Sequence, residues 1–278
     1  MHSVIFWFRN DLRLQDQPAL QQAAAHAERH GQRLLLVWVH DPAQDEATAW
    51  GFRRMGQHRR RFLAETLQDL NTSLQALGQH LVLLRGRAQE VLPSLAQRVN
   101  ASAIYAEDIA APEEQAQVQA LRDAGLTHPM TVYTVWQSSL LAPDALSFDV
   151  ADMPQVFTTF RQRVEAVGLQ PLAPLAAPRT LPPPPPLSTP PKSLTPSEEM
   201  PGWTESPWAL LGVTDAVNKR SFKGGDSSHF QGGESHALAH LHSYLTPPWP
   251  DRYKQTRNAL QGQHTSSHWS PEIGRAHV

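Results

Sequence analysis

The run Val4-Ile5-Phe6-Trp7-Phe8 passes directly into Arg9-Asn10-Asp11-Leu12-Arg13-Leu14, and then into Asp16-Gln17-Pro18-Ala19-Leu20. Five consecutive apolar residues without alternation read as a strand covered on both faces, as in a parallel sheet flanked by helices. The charged stretch after it is the turn, and Asp16 ahead of Pro18 reads as the cap and first turn of a helix. Arg9, Asp11 and Arg13 then stand at the carboxyl end of the first strand, where open α/β sheets take their ligands. Two readings of these charges remain open: a ligand site, or mutual pairing that holds the turn.

Working outward, short apolar runs alternate with longer amphipathic ones through the first half of the chain. Further strands are predicted over Leu34–His40, Leu81–Leu84, Ala103–Ala106 and Met130–Val135. Helices are predicted over Pro18–His30, Gly51–Leu77, Ala88–Val99 and Pro112–Ala124, the last closed by Gly125. In the second helix Phe62, Leu63, Leu67, Leu70, Leu74 and Leu77 recur at helical spacing and would cover one face of the sheet. Such a βα alternation specifies a doubly wound α/β domain around a five-stranded parallel sheet, with right-handed crossovers.

At 278 residues the chain has room for one large domain or two modest ones. Lysine and arginine total 24 against 26 acidic residues, so any nucleic-acid site has to be a local patch. The absence of cysteine excludes disulfides, thiolate nucleophiles and cysteine zinc sites. Met1–Phe8 is too short and too soon interrupted by charge for a signal peptide, and no apolar stretch approaches a membrane span. The expectation is a soluble, cytoplasmic protein that partners no membrane and acts as a monomer.

After Trp136 the pattern dissolves. Between Pro171 and Pro207 lie 13 of the 24 prolines, including the unbroken run Pro182–Pro186. Five prolines in polyproline II geometry span about 15 Å, enough for a semi-rigid strap across a domain surface. Helical spacing returns from Gly232, with Ala237, Leu238, Leu241, Tyr244 and Leu245 on one face. The expected organisation is an α/β domain over 1–135, a connector over 136–229 and the start of a helical domain over 230–278. The basic run Arg53-Arg54 and Arg59-Arg60-Arg61 falls on the predicted second helix without an interleaved aromatic platform, so a solvated face is the expected reading. His236 and His240 are spaced for a metal, but lack a third ligand and read as surface histidines alongside His242.

Several strings together resemble the photolyase/cryptochrome family. Trp7 to Leu20 is similar to the opening of its amino-terminal α/β domain, and the likeness continues through Arg61-Phe62-Leu63, Gly78 and Gly86. Met153-Pro154-Gln155-Val156-Phe157-Thr158-Thr159-Phe160-Arg161 resembles the inter-domain segment of the DASH type. On spacing alone that string is a short amphipathic helix, capped near Pro154 and packed on the α/β domain, with Phe157 and Phe160 in the core. Phe230-Gln231-Gly232-Gly233-Glu234 resembles the entry to the flavin-binding helical domain, the glycines marking a turn and Glu234 suiting the helix dipole.

The resemblance implies a bent FAD held by Tyr253, Ser266, Ser267 and Ser270, since hydroxyls and free amides at a helix start suit a pyrophosphate. Without the resemblance, Ser266-Ser267 is an ordinary turn and cap. It also implies an antenna chromophore, methenyltetrahydrofolate, beside the α/β domain near Glu113 and Glu114. The family's reaction is repair of cyclobutane pyrimidine dimers by an electron from light-excited reduced FAD, on damaged DNA that is single-stranded or locally opened in DASH members. It requires no catalytic acid, base or nucleophile, and none is assigned. A photoreceptor without repair activity, a free-standing nucleotide or antenna module, and an inactive fragment are the other readings. Thr265 and Gln261–His264 depart from the family, and Glu272–Val278 can be encoded by the opening of a common sequencing adapter. The expectation is therefore that those last residues are not native and that the protein is longer.

Overall fold

The computed structural model of the chain describes residues 2–124, 130–186, 203–204, 206–213 and 231–259. Its centre is the expected parallel sheet, of β1 (Ser3–Phe8), β2 (Arg33–His40), β3 (Leu81–Arg85), β4 (Ala101–Asp108) and β5 (Thr131–Trp136). The strand order is β5-β4-β1-β2-β3, and a two-residue antiparallel strand β6 (Trp203–Thr204) adds to the β3 edge. That sixth strand is carried by the connector and was not expected.

All six residues of β1 are buried, because helices cover both faces. Val4, Phe6 and Phe8 point to one side and join Leu34, Leu36 and Trp38 beneath α1 (Pro18–Arg29) and α2 (Gln57–Ala76). Ile5 and Trp7 point to the other and join Leu35 and Val37 beneath α3 (Ala88–Arg98) and α4 (Pro112–Ala124). Burying a side chain such as Phe6 or Leu36 contributes roughly 1.5–3 kcal/mol, so this alternation carries the domain. The connection through α3 carries the chain from β3 past β1 to β4. Strand order therefore reverses between β1 and β4, which opens a crevice at their carboxyl ends.

Two helix starts differ from expectation. Gln17, not Asp16, precedes α1, and no side chain caps it. Asp16 adopts a positive φ of 48° and instead faces the connector. Its carboxylate accepts from the Leu175 amide at 3.1 Å, and its own amide donates to the Leu175 carbonyl at 2.8 Å. The second helix begins at Gln57 rather than Gly51. Ahead of it residues 46–54 form a hairpin, closed by the Thr48 amide to the Phe52 carbonyl (2.7 Å) and the Arg54 amide to the Glu46 carbonyl (3.3 Å). Gly51 turns its tip at φ 83°, which ends any helical run there. Arg53 and Arg54 consequently lie off the helix.

The proline-rich segment is a strap laid on the α1–α2 face. Because prolines lack an amide hydrogen, it is fastened through its carbonyls. Ala176 accepts from Gln21 at 3.3 Å, Pro183 from the Leu34 amide at 3.2 Å, Pro184 from Arg33 at 3.2 Å, and Pro182 from Gln79. Leu181 enters the core beside Leu34 and Leu36. Leu181→Ala is expected to cost about 2–3 kcal/mol, seen as a lower urea midpoint. An unchanged midpoint would mean that the strap is only loosely laid. The returning chain forms the short α6 (Pro207–Leu210), and Leu210 and Leu211 complete the same core.

The DASH-like string forms α5 (Phe157–Ala166), starting after Val156 and not at Pro154. It is not packed as expected: none of its residues is buried, and Phe157 is 73% exposed. Phe157 and Phe160 stack on each other and Phe148 meets Phe160 edge-on, because no described element covers that face. Farther on lie α7 (Glu234–Leu245) and α8 (Trp249–Thr256). Of the apolar face expected on α7, Tyr244 is buried, while Leu238 and Leu245 remain exposed.

Candidate functional site

The crevice at the carboxyl ends of β1 and β4 is filled by buried polar side chains. Asp11 lies at the centre, 2% exposed. One carboxylate oxygen accepts from the Arg9 amide at 2.9 Å, and the other from the side-chain amides of Gln17 (2.8 Å) and Gln137 (2.6 Å). Gln137 in turn accepts from the Ala19 amide, tying the end of β5 to the start of α1. The Arg9 guanidinium lies over Trp7, 4.8 Å from the ring centroid. It donates to the carbonyls of Glu107 (3.2 Å) and Glu114 (3.0 Å) and to the Gln117 amide oxygen (3.0 Å). Arg13 donates to the carbonyls of Gln15 and Asp16. Of the two readings of Arg9, Asp11 and Arg13, the geometry favours a structural role, though not by mutual ion pairing: Asp11 and Arg13 hold the turn through main-chain and side-chain amide bonds, and the Arg9 guanidinium fastens it to β4 and α4.

Sequence reasoning missed Glu107, a carboxyl on a strand whose neighbours are buried. It is 5% exposed; one oxygen accepts from Ser138 at 2.9 Å and the other has no hydrogen-bond partner among the described residues. Burial first, and the Asp11 charge second, push its carboxyl up to about 7, against the partial relief of the Ser138 bond and the Arg13 and Arg9 charges. The folded protein therefore keeps a proton that the unfolded chain releases near pH 4.5. The stabilisation is complete below that pH and is lost as pH rises through about 7, to a total of about 3 kcal/mol. Denaturant midpoints should fall between pH 5 and 8, and Glu107→Gln should flatten that slope. A slope equally steep in the variant would place the proton elsewhere.

The predicted antenna residues stand at the mouth of the crevice. Exposed Glu113 makes a bidentate pair with Arg54 of the hairpin, at 2.7 and 3.0 Å. Glu114 offers its main-chain carbonyl to Arg9.

A second charged cluster closes the ends of β2 and β3. Asp45 accepts from His40 at 3.0 Å and from Arg85 at 2.7 Å, with Arg60 at 2.6 Å. Burial works to raise the Asp45 carboxyl, but the bonds from His40, Arg60 and Arg85 outweigh it and hold it at about 2. Burial lowers His40, against the opposing pull of its bond to Asp45, which leaves Arg60 and Arg85 as the main counter-charges to that carboxylate. Arg60 and Arg85 also donate to the carbonyls of Leu211 and Leu210, fastening the returning connector.

The glycine pair forms a third junction. Glu65 of α2 accepts from the Gly232 amide at 2.9 Å, and Asp69 from the Ser235 amide at 3.0 Å. Glu234 reaches the turn after β1, accepting from the amides of Leu14 (2.8 Å) and Gln15 (2.9 Å). It stands in the first turn of its own helix, as expected, and in addition satisfies the amides of a distant turn. Tyr253 lies exposed on α8, while Ser266, Ser267 and Ser270 lie outside the described residues. No cluster of metal-ligating side chains exists among the described residues, His236, His240 and His242 included. Nor is any described helix long and apolar enough to cross a membrane.

Comparison with known proteins accounts for this architecture. Residues 4–182 match the DNA photolyase family. Cryptochrome DASH of Gloeobacter violaceus is 33% identical over 273 residues, covering 96% of this chain and 49% of that protein. The chloroplastic/mitochondrial Cryptochrome DASH of Arabidopsis thaliana is 32% identical, over 96% of this chain and 44% of that protein. A cryptochrome structure from Synechocystis superposes with a TM-score of 0.82 at 29% identity, over 99% of this chain and 53% of that one. A class III photolyase from Agrobacterium tumefaciens gives 0.73 at 26%, over 100% and 51%. The chain thus spans about half the length of the curated relatives it matches. With its five-stranded parallel sheet, its buried Arg9–Asp11 turn and a match that runs from the first strand into the strap, this chain belongs to the photolyase/cryptochrome family and is like its DASH cryptochromes.

Proposed function

We propose that this chain is the amino-terminal portion of a light-dependent FAD flavoprotein that repairs cyclobutane pyrimidine dimers by electron transfer from reduced FAD. The substrate is damaged DNA that is single-stranded or locally opened, and the protein acts as a cytoplasmic monomer. The observation that carries this reading is the alignment of nearly the whole chain with about half of each DASH cryptochrome. Tyr253, Ser266, Ser267 and Ser270 are the proposed FAD contacts. The described residues do not enclose a flavin by themselves, since Tyr253 is 46% exposed. What they supply is placement: Glu65, Asp69 and Glu234 lock the start of α7 to the α/β domain.

The proposed antenna is methenyltetrahydrofolate beside Glu113 and Glu114. Glu113 would exchange Arg54 for donors on the pterin, and that exposed ion pair is already weakened by solvent and salt.

The test is the visible absorption spectrum after incubation with FAD and desalting, for this chain and for a version extended to the length of its relatives. The extended form is expected to keep an oxidised-flavin spectrum and to repair a dimer-containing oligonucleotide in light. Flavin retention without repair would favour the photoreceptor reading. Stoichiometric flavin on the 278-residue chain alone would show that its own residues complete the pocket.

A further inference from the structure

We propose that the hairpin between β2 and α2 is a docking surface for single-stranded nucleic acid, with Trp50 and Phe52 stacking on bases and Arg53 and Arg59 taking phosphates. It concerns the α/β domain alone and needs neither flavin nor light.

Trp50, at the tip, is 80% exposed and Phe52 is 62% exposed. Their rings stand 6.3 Å apart at only 18° from parallel. Two large aromatic rings held outward together are an unusual expense of apolar surface, and such patches mark contact sites. Gly51 between them leaves open space where a side chain would stand. The hairpin bonds hold this arrangement on a fixed frame.

The charge around the rings is one-sided. From Glu46 to Arg61 the chain carries five arginines and one acidic residue, in a protein whose formal charge is -2. Arg54 is paired with Glu113, Arg60 with Asp45 and Arg61 with Glu65. Arg53, beside Phe52, and Arg59, in the first turn of α2, are exposed and enter no ion pair among the described residues. The expectation of a plain solvated helix face is thereby replaced: two of the five arginines of the basic run lie in a hairpin next to a stacking platform. Single-stranded nucleic acid presents flat base faces and phosphates together, which is the combination this surface offers. An apolar protein partner would leave the arginines without purpose, and a purely anionic one the rings.

The test uses the 278-residue chain in the dark, without FAD, and a labelled, undamaged oligothymidylate of about 12 nucleotides, followed by anisotropy across a salt series. Trp50→Ala with Phe52→Ala is expected to weaken binding ~10-fold or more, and Trp50→Tyr with Phe52→Tyr to preserve it. Arg53→Ala with Arg59→Ala should reduce the slope of log K against log salt by about 1.4, near 0.7 for each phosphate contact. All four positions are exposed, so circular dichroism should be unchanged. Absence of binding at low salt overturns the proposal. So does a heparin fragment that displaces the oligonucleotide while the alanine ring variants bind like the parent, since the patch would then be a general anion surface. Flavin retention and repair by the extended protein are independent of these positions, so either idea can fail alone.

Discussion

Asp11→Ala is expected to destabilise the α/β domain by about 3–5 kcal/mol, a fall in melting temperature on the order of 10 °C. The carboxylate is the shared acceptor for the Arg9 amide and for the side-chain amides of Gln17 and Gln137, all buried. Its removal leaves three donors dry and Arg9 short of a counter-charge. A second readout separates this from simple loss of packing. The Asp11 charge is one of the causes that raise Glu107, so the variant should lower that carboxyl and soften the decline of stability with pH. If Asp11→Ala were as stable as the parent, the crevice would be hydrated rather than sealed.

Gly232→Ala is expected to free α7 from α2. A side-chain carbon there would lie 2.1 Å from the Phe62 carbonyl oxygen, a backbone atom that cannot step aside. Gly233 is nearly as constrained, with φ 123° and Asp69 within 2.6 Å of the added carbon. The clash undoes the Glu65, Asp69 and Glu234 bonds together, so amide exchange over Glu234–Leu245 should accelerate by about 10- to 100-fold while β1 to β4 stay protected. Glu234→Ala should give a smaller acceleration, because two amides lose their acceptor without any steric conflict. Equal protection in Gly232→Ala would show that α2 can shift to admit the methyl group.

The sheet was legible because burial on both faces demands unbroken apolar runs, and Val4–Phe8 or Leu34–Val39 can hardly be anything else. The start of α2 was less so: its Leu67, Leu70 and Leu74 are periodic, but periodicity does not say where a helix begins, and Gly51 and Gly56 were the overlooked stop signals. Asp16 looked like a cap because a cap is a local pattern, whereas its true partner, Leu175, lies far along the chain. Glu107 and Gln137 escaped for the same reason, since neither has a local partner and the crevice exists only once β1, β4 and β5 are aligned. Phe157 and Phe160 were correctly seen as apolar; what they touch is not encoded in their own spacing. For the flavin contacts, sequence resemblance remains the sole guide to Ser266, Ser267 and Ser270.

Leu181, Leu210 and Leu211 belong to the core under α1 and α2, yet roughly 75 residues separate the end of β5 from Leu211. A ribosome adding about 5–20 residues each second needs on the order of 4–15 s to deliver that stretch. During this interval the nascent sheet has all five parallel strands, but one flank still lacks three leucines and β3 still lacks its edge partner. A nascent chain that paired its five strands in this interval would be open on that side, and chaperone binding during translation would then be expected to concentrate on β3 and α2.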